Sequence, residues 1–411
     1  MRLLVQKFGG TSVESKESRR HVIRQIKEAL AQKYKVVVVV SALGRNPKPY
    51  ATDTLAKLVA PPKTKEERRE LDLLLSVGEV ISSTVLASEL RRENITAVAL
   101  TGAQAGLITT DEYTEAKIKR VKPDRIQEEL KTKDVVVIAG FQGRTEEGEI
   151  TTIGRGGSDT SAVAFGASLQ AEYIDIFTDV NGIMTADPRL VQSAQPIDVV
   201  TYTEICNLAY QGAKVIHPRA VEIAMQAEIP IRIRSTYAKG FGTLITRKRS
   251  NTYDGNVSDR LVTGIAHMDE IAQLKVVQRE DDVQSQAKIF SMMAEAEISV
   301  DFINVSPTEI TFTVPNAIAD YARELIQSAG YTVKVTKDCA KVSAVGAGMT
   351  GIPGVVAKIT KALTEVGVKV LQSADSHTTI WVLVKQDEMN KAVNALHKAF
   401  ELDKVNASKR I

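Results

Sequence analysis

Residues 35–41 of the chain are Lys-Val-Val-Val-Val-Val-Ser, and this run decides the fold class. An uninterrupted β-branched run of this length is typical of a strand that is buried on both faces. Before it, residues 14–33 carry apolar side chains at helical spacing, and Leu3 to Lys7 form a short strand-like run. A strand, a helix and a doubly buried strand in this order predict an α/β sandwich with a mainly parallel sheet.

The alternation of strands and helices continues to about residue 245. Helical stretches are predicted at 53–59 and 65–92, strands at 96–100, 135–139 and 173–178, and a further helix ending near Leu169. Residues 246–260 are polar and rich in turn-forming residues, which is typical of a linker. We therefore expect a first domain at residues 1–245 and a linker at 246–260.

Beyond the linker the chain repeats itself. Ala287-Lys288-Ile289 recurs 70 residues later as Ala357-Lys358-Ile359, and the strand-like run at 310–314 recurs at 380–384. Each copy predicts a strand, a helix, two strands and a helix, with a fourth strand from a flanking segment, which is the split βαβ pattern. We expect two such domains, at 261–338 and 339–411. Chance similarity between two α+β stretches is the alternative.

The composition argues against several classes of function. Of the 411 residues 5% are aromatic, and the net charge of +3 is too small to indicate nucleic acid or an anionic membrane as a partner. Cys206 and Cys339 lie far apart and lack the spacing of a metal site or a disulfide framework. The first residues lack the apolar segment of a signal peptide, and the longest apolar run is far shorter than a membrane span. We expect a cytoplasmic protein.

The segment from Lys7 to Val13, KFGGTSV, joins the first predicted strand to the first predicted helix. Gly9 and Gly10 allow backbone amides to approach phosphate oxygens closely, and the helix N-terminus and Lys7 add positive charge. Ser12 could cap the helix. These features favour a phosphate site, with a purely structural turn as the alternative.

A second glycine-rich segment, GRGGSDT at residues 154–160, also opens a helix. Arg155 could hold a carboxylate through two parallel hydrogen bonds. Asp159 could orient a lysine or bind through metal-held water. A solvated arginine on a helix-capping loop is the structural alternative.

Three further positions have side chains that could bind a nucleotide, a phosphate or a substrate. A predicted strand ends at Thr178, and nucleotides usually lie at such strand ends in open α/β sheets, although the Asn-Gly and Asp-Pro pairs that follow also form ordinary turns. Lys214 could neutralise phosphate charge, whereas His217 nearby fits a structural or exposed histidine better. Glu79, on a predicted helix, could bind a substrate ammonium group or be solvated.

Together these segments resemble the aspartokinases of the amino-acid kinase superfamily. Five of them match in family order, and the repeat resembles the two ACT domains that end those enzymes, so the resemblance covers essentially the whole chain. The segments are KFGGTSV at 7–13, SVGEVIS at 76–82, GRGGSDTSA at 154–162, FTDVNGIMTADPR at 177–189 and GAKVIHPRAV at 212–221.

The resemblance implies both a fold and an activity. The fold would be an amino-acid-kinase sandwich with a mainly parallel sheet, followed by two βαββαβ domains of the ACT-like, ferredoxin-like type. The activity would be phosphoryl transfer from ATP, with Mg²⁺, to the side-chain carboxylate of L-aspartate, giving 4-phospho-L-aspartate. That reaction is the first step of lysine, diaminopimelate, threonine and methionine biosynthesis.

The resemblance also implies roles for individual residues. Those that would act on the transferring phosphate are Lys7, Gly9, Gly10, Ser12 and Lys214, with Asp159 orienting the two lysines. Those that would surround the nucleotide are Thr178, Asp179, Met184, Asp187 and Arg189. Those that would hold aspartate are Ser41, Thr52, Glu79, Arg155 and Ser158, with Arg155 on the α-carboxylate and Glu79 on the ammonium group. No protein metal ligand is implied.

The sequence departs from the family pattern in two places. Residues 45–51 stand between Gly44 and the Thr52-Asp53 pair, which the family usually reaches sooner. At the 70-residue offset, Pro353-Gly354 corresponds to Val283-Gln284, so the tight turn that forms many ACT effector pockets is altered in the first repeat.

The ACT-like repeats imply feedback by lysine, threonine or meso-diaminopimelate, and a homo-oligomer assembled through these domains. The altered first repeat favours the diaminopimelate-sensitive class. The alternative is that the repeats only dimerise the chain. Two other functions stay open: a kinase for another amino acid or carbamate, and a catalytically silent amino-acid sensor, against which the intact Lys7, Arg155, Asp159 and Lys214 argue.

Overall fold

A computed structural model of the chain describes residues 2–213, 215–247, 261–278, 284–347, 349 and 351–404. Contacts divide these residues into two units. The first holds residues 2–183, 196–209 and 215–247, and the second holds 184–195, 210–213 and the described residues from 261 onward. The predicted linker lies mostly outside the described residues, and the predicted domain boundaries stay predictions.

The first unit is built on an eight-stranded sheet with the order β10-β12-β11-β9-β1-β2-β6-β3. All neighbouring strands are parallel apart from the β11/β12 pair, which confirms the mainly parallel sheet. Its strands are β1 Arg2–Phe8, β2 Tyr34–Val40, β3 Ala97–Leu100, β6 Val135–Ala139, β9 Tyr173–Thr178, β10 Val199–Thr201, β11 Ile231–Ser235 and β12 Thr243–Thr246.

Helices cover both faces of this sheet. Val36 to Val40 in β2 are fully buried, as the valine run predicts. Val36, Val38 and Val40 share one cluster with residues of α2 and α4, and α6 packs against β1, β2 and β9. The helices are α1 Gly10–Val13, α2 Lys16–Ala31, α3 Thr52–Ala56, α4 Lys65–Arg92, α5 Asp124–Thr132, α6 Gly157–Ser168, α7 Tyr202–Tyr210 and α8 Pro218–Ala227.

A separate four-stranded sheet with the order β5-β4-β7-β8 belongs to the same unit, and the sequence did not predict it. Its strands have only three or four residues each, which is too short for an alternating pattern to stand out. They are β4 Leu107–Thr109, β5 Ile118–Val121, β7 Gln142–Arg144 and β8 Ile150–Thr152.

Helix α4 is long and apolar enough to cross a membrane by length and composition alone. Half of its most apolar window is buried, and it packs against β3, β6 and β8. A core helix passes the same length and composition test, so this is weak evidence for a membrane span.

The second unit contains the repeat, and the 70-residue offset is confirmed. Helix α9 at Ser285–Glu295 recurs as α11 at Val355–Glu365, and strand β15 at Glu309–Pro315 recurs as β18 at Thr379–Lys385. The remaining elements are β13 Gly264–Val277, β14 Asp301–Val305, α10 Ala319–Ser328, β16 Thr332–Val345, β17 Gln372–Asp375 and α12 Met389–Ala399.

The two repeats share their longest strands. In the six-stranded sheet, of order β14-β15-β13-β16-β18-β17, β13 and β16 are neighbours over most of their 14 residues each. One end of each strand completes the first repeat and the other end completes the second. This arrangement supplies the flanking fourth strand that the sequence predicts.

The helix start differs between the repeats, as the sequence suggests. Gly354 precedes α11 with a left-handed φ of 92°, whereas Gln284 precedes α9 with a φ of −91° in the right-handed region. Glycine adopts positive φ at little cost, and a glutamine does so rarely. The residue before α9 therefore has a different backbone conformation from the residue before α11; Val283 lies outside the described residues.

Candidate active site

Lys7 and Asp159 meet at the carboxyl edge of the large sheet. Lys7 lies near the end of β1 and Asp159 in the first turn of α6, and the distance from Lys7 Nζ to Asp159 Oδ1 is 2.6 Å. Both side chains are about one-eighth exposed. A mostly buried ammonium group that keeps some exposure at the carboxyl ends of parallel strands is suited to receive an anion.

The glycine turn after β1 lies directly against a second strand-end loop. A Cβ at Gly10 would stand 2.6 Å from the carbonyl oxygen of Gly44 and 2.8 Å from that of Ala42. The Gly44 amide also donates to the Gly10 carbonyl at 3.1 Å. Glycine is therefore required at position 10 because the two backbones touch there.

Glu79 is buried in α4 beside the same loop. One of its carboxylate oxygens, Oε1, accepts a hydrogen bond from the Ala42 amide at 3.1 Å. Among the residues that the structure describes, none hydrogen-bonds to the other oxygen, Oε2. Burial raises the pKa of Glu79 from 4.5 to about 8, with the Ala42 amide opposing that rise. A buried carboxyl group with an unused oxygen is suited to bind an ammonium group.

Ser41 follows a strand directly, and Ser158, in the first turn of α6, lies beside the end of the neighbouring strand. Ser41 follows β2, and its amide donates to the Phe8 carbonyl at the end of β1. A Cβ at Gly140, which follows β6, would lie 2.9 Å from the Val40 carbonyl oxygen and 3.1 Å from Ser158 Cβ. The two serines are thus brought to one region of the sheet edge.

Thr52 begins α3 in the segment that departs from the family pattern. A Cβ at Gly78 would touch Ala42 Cβ and the Tyr50 carbonyl oxygen, both at 2.9 Å. The longer segment therefore folds back onto α4, one residue from Glu79. This places Thr52 within the same neighbourhood as Ser41 and Glu79.

Arg155 is exposed on the loop that opens α6. The next residue, Gly156, has a left-handed φ of 68°, and a Cβ there would stand 2.2 Å from the His217 ring. His217 Nδ1 is buried and has no hydrogen-bond partner among the residues that the structure describes. His217 thus packs against the glycine-rich loop, and the sequence alone could not show that contact.

Strand β9, which pairs with β1, ends at Thr178, and Asp179 follows it. The Thr178 hydroxyl donates to Asp179 at 3.0 Å, and the Thr178 carbonyl accepts from the Thr236 amide at 2.9 Å. Ser12 is buried and lies 2.7 Å from the Thr236 hydroxyl. Thr236 follows β11 and was not a predicted site residue, because nothing in the sequence links it to a serine 224 positions earlier.

Three predicted nucleotide residues belong to the second unit. Met184 packs against the core of the second repeat, and Arg189 pairs with Asp187 at 2.6 Å. The hydrogen bonds from Arg189 lower the pKa of Asp187, with burial opposing them. Their predicted nucleotide role stays a prediction, as does that of Lys214, which lies outside the described residues.

The described ranges contain no group of three or more His, Cys, Asp or Glu side chains placed to hold a metal ion. Mg²⁺ is commonly bound through one or two carboxylates, waters and substrate phosphates rather than by an all-protein cage. An ion bound in that way would be carried chiefly by nucleotide phosphates.

Comparison with known proteins supplies the family. The model of the amino acid kinase family matches residues 2–235, and that of the ACT domain matches residues 334–398. The chain is 57% identical over 404 residues to aspartokinase 1 of Bacillus subtilis strain 168, across 98% of this chain and 100% of that one. It is 39% identical over 416 residues to an aspartokinase of Geobacillus stearothermophilus, across the full length of both.

A solved structure shows the same fold. The E. coli aspartokinase III structure in complex with aspartate and ADP matches with a TM-score of 0.75 at 24% identity, across 97% of this chain and 99% of that one. The kinase family model spans more than half of the chain and the two relatives span nearly all of it. The resemblance inferred from the five motifs and the repeat is thereby confirmed, and the chain belongs to the aspartokinase family.

Proposed function

We propose that this member of the aspartokinase family transfers the γ-phosphoryl group of MgATP to the side-chain carboxylate of L-aspartate at the carboxyl edge of the large sheet. The observation that carries the proposal is the Lys7–Asp159 pair, which presents an ammonium group beside the glycine turn. The Glu79 carboxyl group, which has one oxygen bound to the Ala42 amide and the other unpartnered among the described residues, adds a site for the aspartate ammonium group.

Charge neutralisation and positioning account for the reaction. The attacking aspartate carboxylate has an ordinary pKa of about 3.9 and is ionised near pH 7, so no general base is needed. The difficulty is the approach of one anion to another. Lys7, Lys214 and the amides of the 9–12 turn reduce this repulsion and stabilise the charge that develops on the phosphoryl oxygens.

The other predicted site residues would hold the nucleotide and aspartate in place for this transfer. Thr178 and Asp179, at the end of β9, would hold the nucleotide, together with Met184, Asp187 and Arg189. Ser41, Thr52, Arg155 and Ser158 would hold aspartate, with the exposed guanidinium of Arg155 on its α-carboxylate. Mg²⁺, when bound, neutralises phosphate charge.

Trapping the product tests the proposal. Incubation of the full chain with MgATP, L-aspartate and hydroxylamine should give aspartyl hydroxamate and ADP in equal amounts, because hydroxylamine attacks acyl phosphates. A panel of glutamate, carbamate and N-acetylglutamate in place of aspartate tests the rival acceptors. ADP release with one of these and none with aspartate would replace the proposed substrate. Nucleotide binding without turnover on any acceptor would favour the silent sensor.

We further propose that meso-diaminopimelate inhibits the enzyme through the repeats and that the repeats assemble the chain into an oligomer in the cytoplasm. The altered helix start at Gln284 supports a first repeat that differs from a standard effector pocket. Titration of lysine, threonine and meso-diaminopimelate into the hydroxamate assay distinguishes the effectors. Lack of response to all three would favour repeats that only dimerise the chain.

A further inference from the structure

The segment of residues 236–238 follows β11 and lies between two strand-end turns of the proposed site. The Thr236 amide donates to the Thr178 carbonyl at the end of β9. The Tyr237 hydroxyl donates to the Thr11 carbonyl at 3.3 Å, in the turn after β1. The segment thus touches both the phosphate turn and the nucleotide strand end.

Two side chains of helix α2 also bind this segment. The Arg24 guanidinium donates to the carbonyls of Thr236 and Tyr237, at 3.3 and 3.0 Å. The Gln25 amide donates to the carbonyls of Thr236 and Ala238, both at 3.4 Å. Four side-chain contacts to three consecutive carbonyls, in a segment without regular secondary structure, show that its backbone position is specified closely.

The Thr236 hydroxyl makes one contact to the phosphate turn. It lies 2.7 Å from Ser12 Oγ, and both residues are about 1% exposed or less. A hydroxyl group has one proton to donate and two lone pairs to accept. If Thr236 donates to Ser12, the Ser12 proton is left for another acceptor.

We propose that Thr236 is a positioning residue for phosphoryl transfer, which rests on the proposed function. By donating to Ser12 Oγ, Thr236 fixes the orientation of the Ser12 hydroxyl and leaves its proton for a phosphate oxygen of the nucleotide. Thr236 itself does not touch the reacting atoms. The Arg24 and Gln25 contacts keep the Thr236 backbone in place for this purpose.

The test removes the hydroxyl and preserves the shape. In the Thr236→Val enzyme, kcat should fall roughly 10- to 100-fold, the effect of one misdirected hydrogen bond. The KM for aspartate should stay within about twofold of wild type. Thr236→Ser, which keeps the hydroxyl, should have a kcat within about threefold of wild type. If the valine enzyme does not fold, Thr236→Ala removes the hydroxyl without putting a methyl group in its place.

A matched control distinguishes an effect on the proposed site from a general loss of stability. Thr109 and Thr151 form another buried hydroxyl pair, at 2.6 Å, in the small sheet. Thr109→Val should lower the melting temperature by an amount similar to Thr236→Val and leave kcat near the wild-type value. An equal loss of kcat in both variants would overturn the proposal, as would a near-normal kcat in Thr236→Val.

A double-mutant cycle tests whether Thr236 acts through Ser12. Ser12→Ala should lower kcat, and Ser12→Ala with Thr236→Val should lower it no further, because the second change removes a partner that is already gone. If the fold-loss of kcat in the double variant equals the product of the losses in the two single variants, the link to Ser12 is overturned. A wild-type enzyme that forms no aspartate-dependent hydroxamate would instead overturn the proposed function itself, so the two failures are distinguishable.

Discussion

Glu79 illustrates how one residue's surroundings set its chemistry. A glutamate carboxyl group in water is ionised at neutral pH, and burial in α4 raises the pKa of this one to about 8. Without substrate the side chain is then mostly protonated at pH 7. Binding of an ammonium group beside it favours the ionised form, so substrate binding and proton release are coupled.

The coupling predicts the pH dependence of aspartate binding. Below pH 8, each binding event must release the Glu79 proton, so the KM for aspartate should fall as the pH rises, by up to about tenfold per unit. The slope should flatten above pH 8. Steady-state kinetics from pH 6 to 9 measure it. Glu79→Gln should bind aspartate weakly with a flat profile, whereas Glu89→Gln on the same helix should keep the wild-type slope.

Lys7 is the other residue whose contribution can be isolated. Lys7→Ala removes the ammonium group that we propose neutralises phosphate charge, and kcat should fall by about 10²- to 10³-fold, as when an oxyanion-hole donor is lost. Lys35→Ala is the matched control, because Lys35 pairs with Asp134 at 3.0 Å at the amino end of β2, away from the site. Comparable kcat values for the two variants in the hydroxamate assay would remove Lys7 from the mechanism.

At the scale of elements, the turn from β1 into α1 is positioned by backbone contact. Gly10 lies against the carbonyls of Ala42 and Gly44, whereas the nearest atom to a Cβ at Gly9 would be Lys7 Nζ at 3.7 Å. Neither glycine has a positive φ, so the difference between them is steric. One glycine therefore keeps two strand-end loops together, and its neighbour leaves room around the lysine.

Alanine substitutions distinguish the two glycines. Gly10→Ala should force the loops apart and destabilise the protein by about 1–3 kcal/mol, the usual range for overpacking. Gly9→Ala should leave the free energy of unfolding within about 0.5 kcal/mol of wild type. Urea unfolding of the two variants measures both effects. A more stable Gly10→Ala than Gly9→Ala would contradict this view of the turn.

At the scale of the whole molecule, the chain does not divide at one point. Residues 184–195 lie between parts of the kinase unit in sequence but pack with the second repeat. Ala186, Val191 and Ala194 join that core, and the Thr185 hydroxyl lies 2.9 Å from Nε2 of the buried His397. The segment that carries Asp187 and Arg189 is thus anchored in the unit that carries the ACT domain.

His397 should make the stability of the second unit depend on pH. Burial lowers the pKa of His397 below 6.5, with Asp403 opposing this, so the unfolded chain takes up a proton that the folded one resists. The stability contribution is full above about pH 6.5 and declines as the pH falls below it. Between pH 7.5 and 5.5, the free energy of unfolding in urea should fall less for His397→Gln than for wild type, because the variant has no imidazole to protonate. His21→Gln is the matched control; equal losses in all three proteins would contradict the prediction.

The sequence by itself determined the elements whose signal is local. The valine run of β2, the periodic helix α4 at 65–92 and the strands β6 and β9 follow from apolar runs and spacing, and the 70-residue repeat follows from self-similarity. The glycines, lysine and arginine at the strand-to-helix turns favour an anion site by the same local reasoning, and the roles of these residues stay predictions. The elements depend on residues that are close together in the chain, and the repeat depends only on comparing one such local pattern with another.

Only the tertiary structure decided the features that join distant residues. The Ser12–Thr236 hydroxyl pair, the contact of His217 with Gly156 and the packing of 184–195 with the second repeat leave no local pattern. The strands of the small sheet are too short to be recognised one by one. The physical reason is that burial, hydrogen-bond partners and raised or lowered pKa values depend on neighbours that are set by the packing of the whole chain.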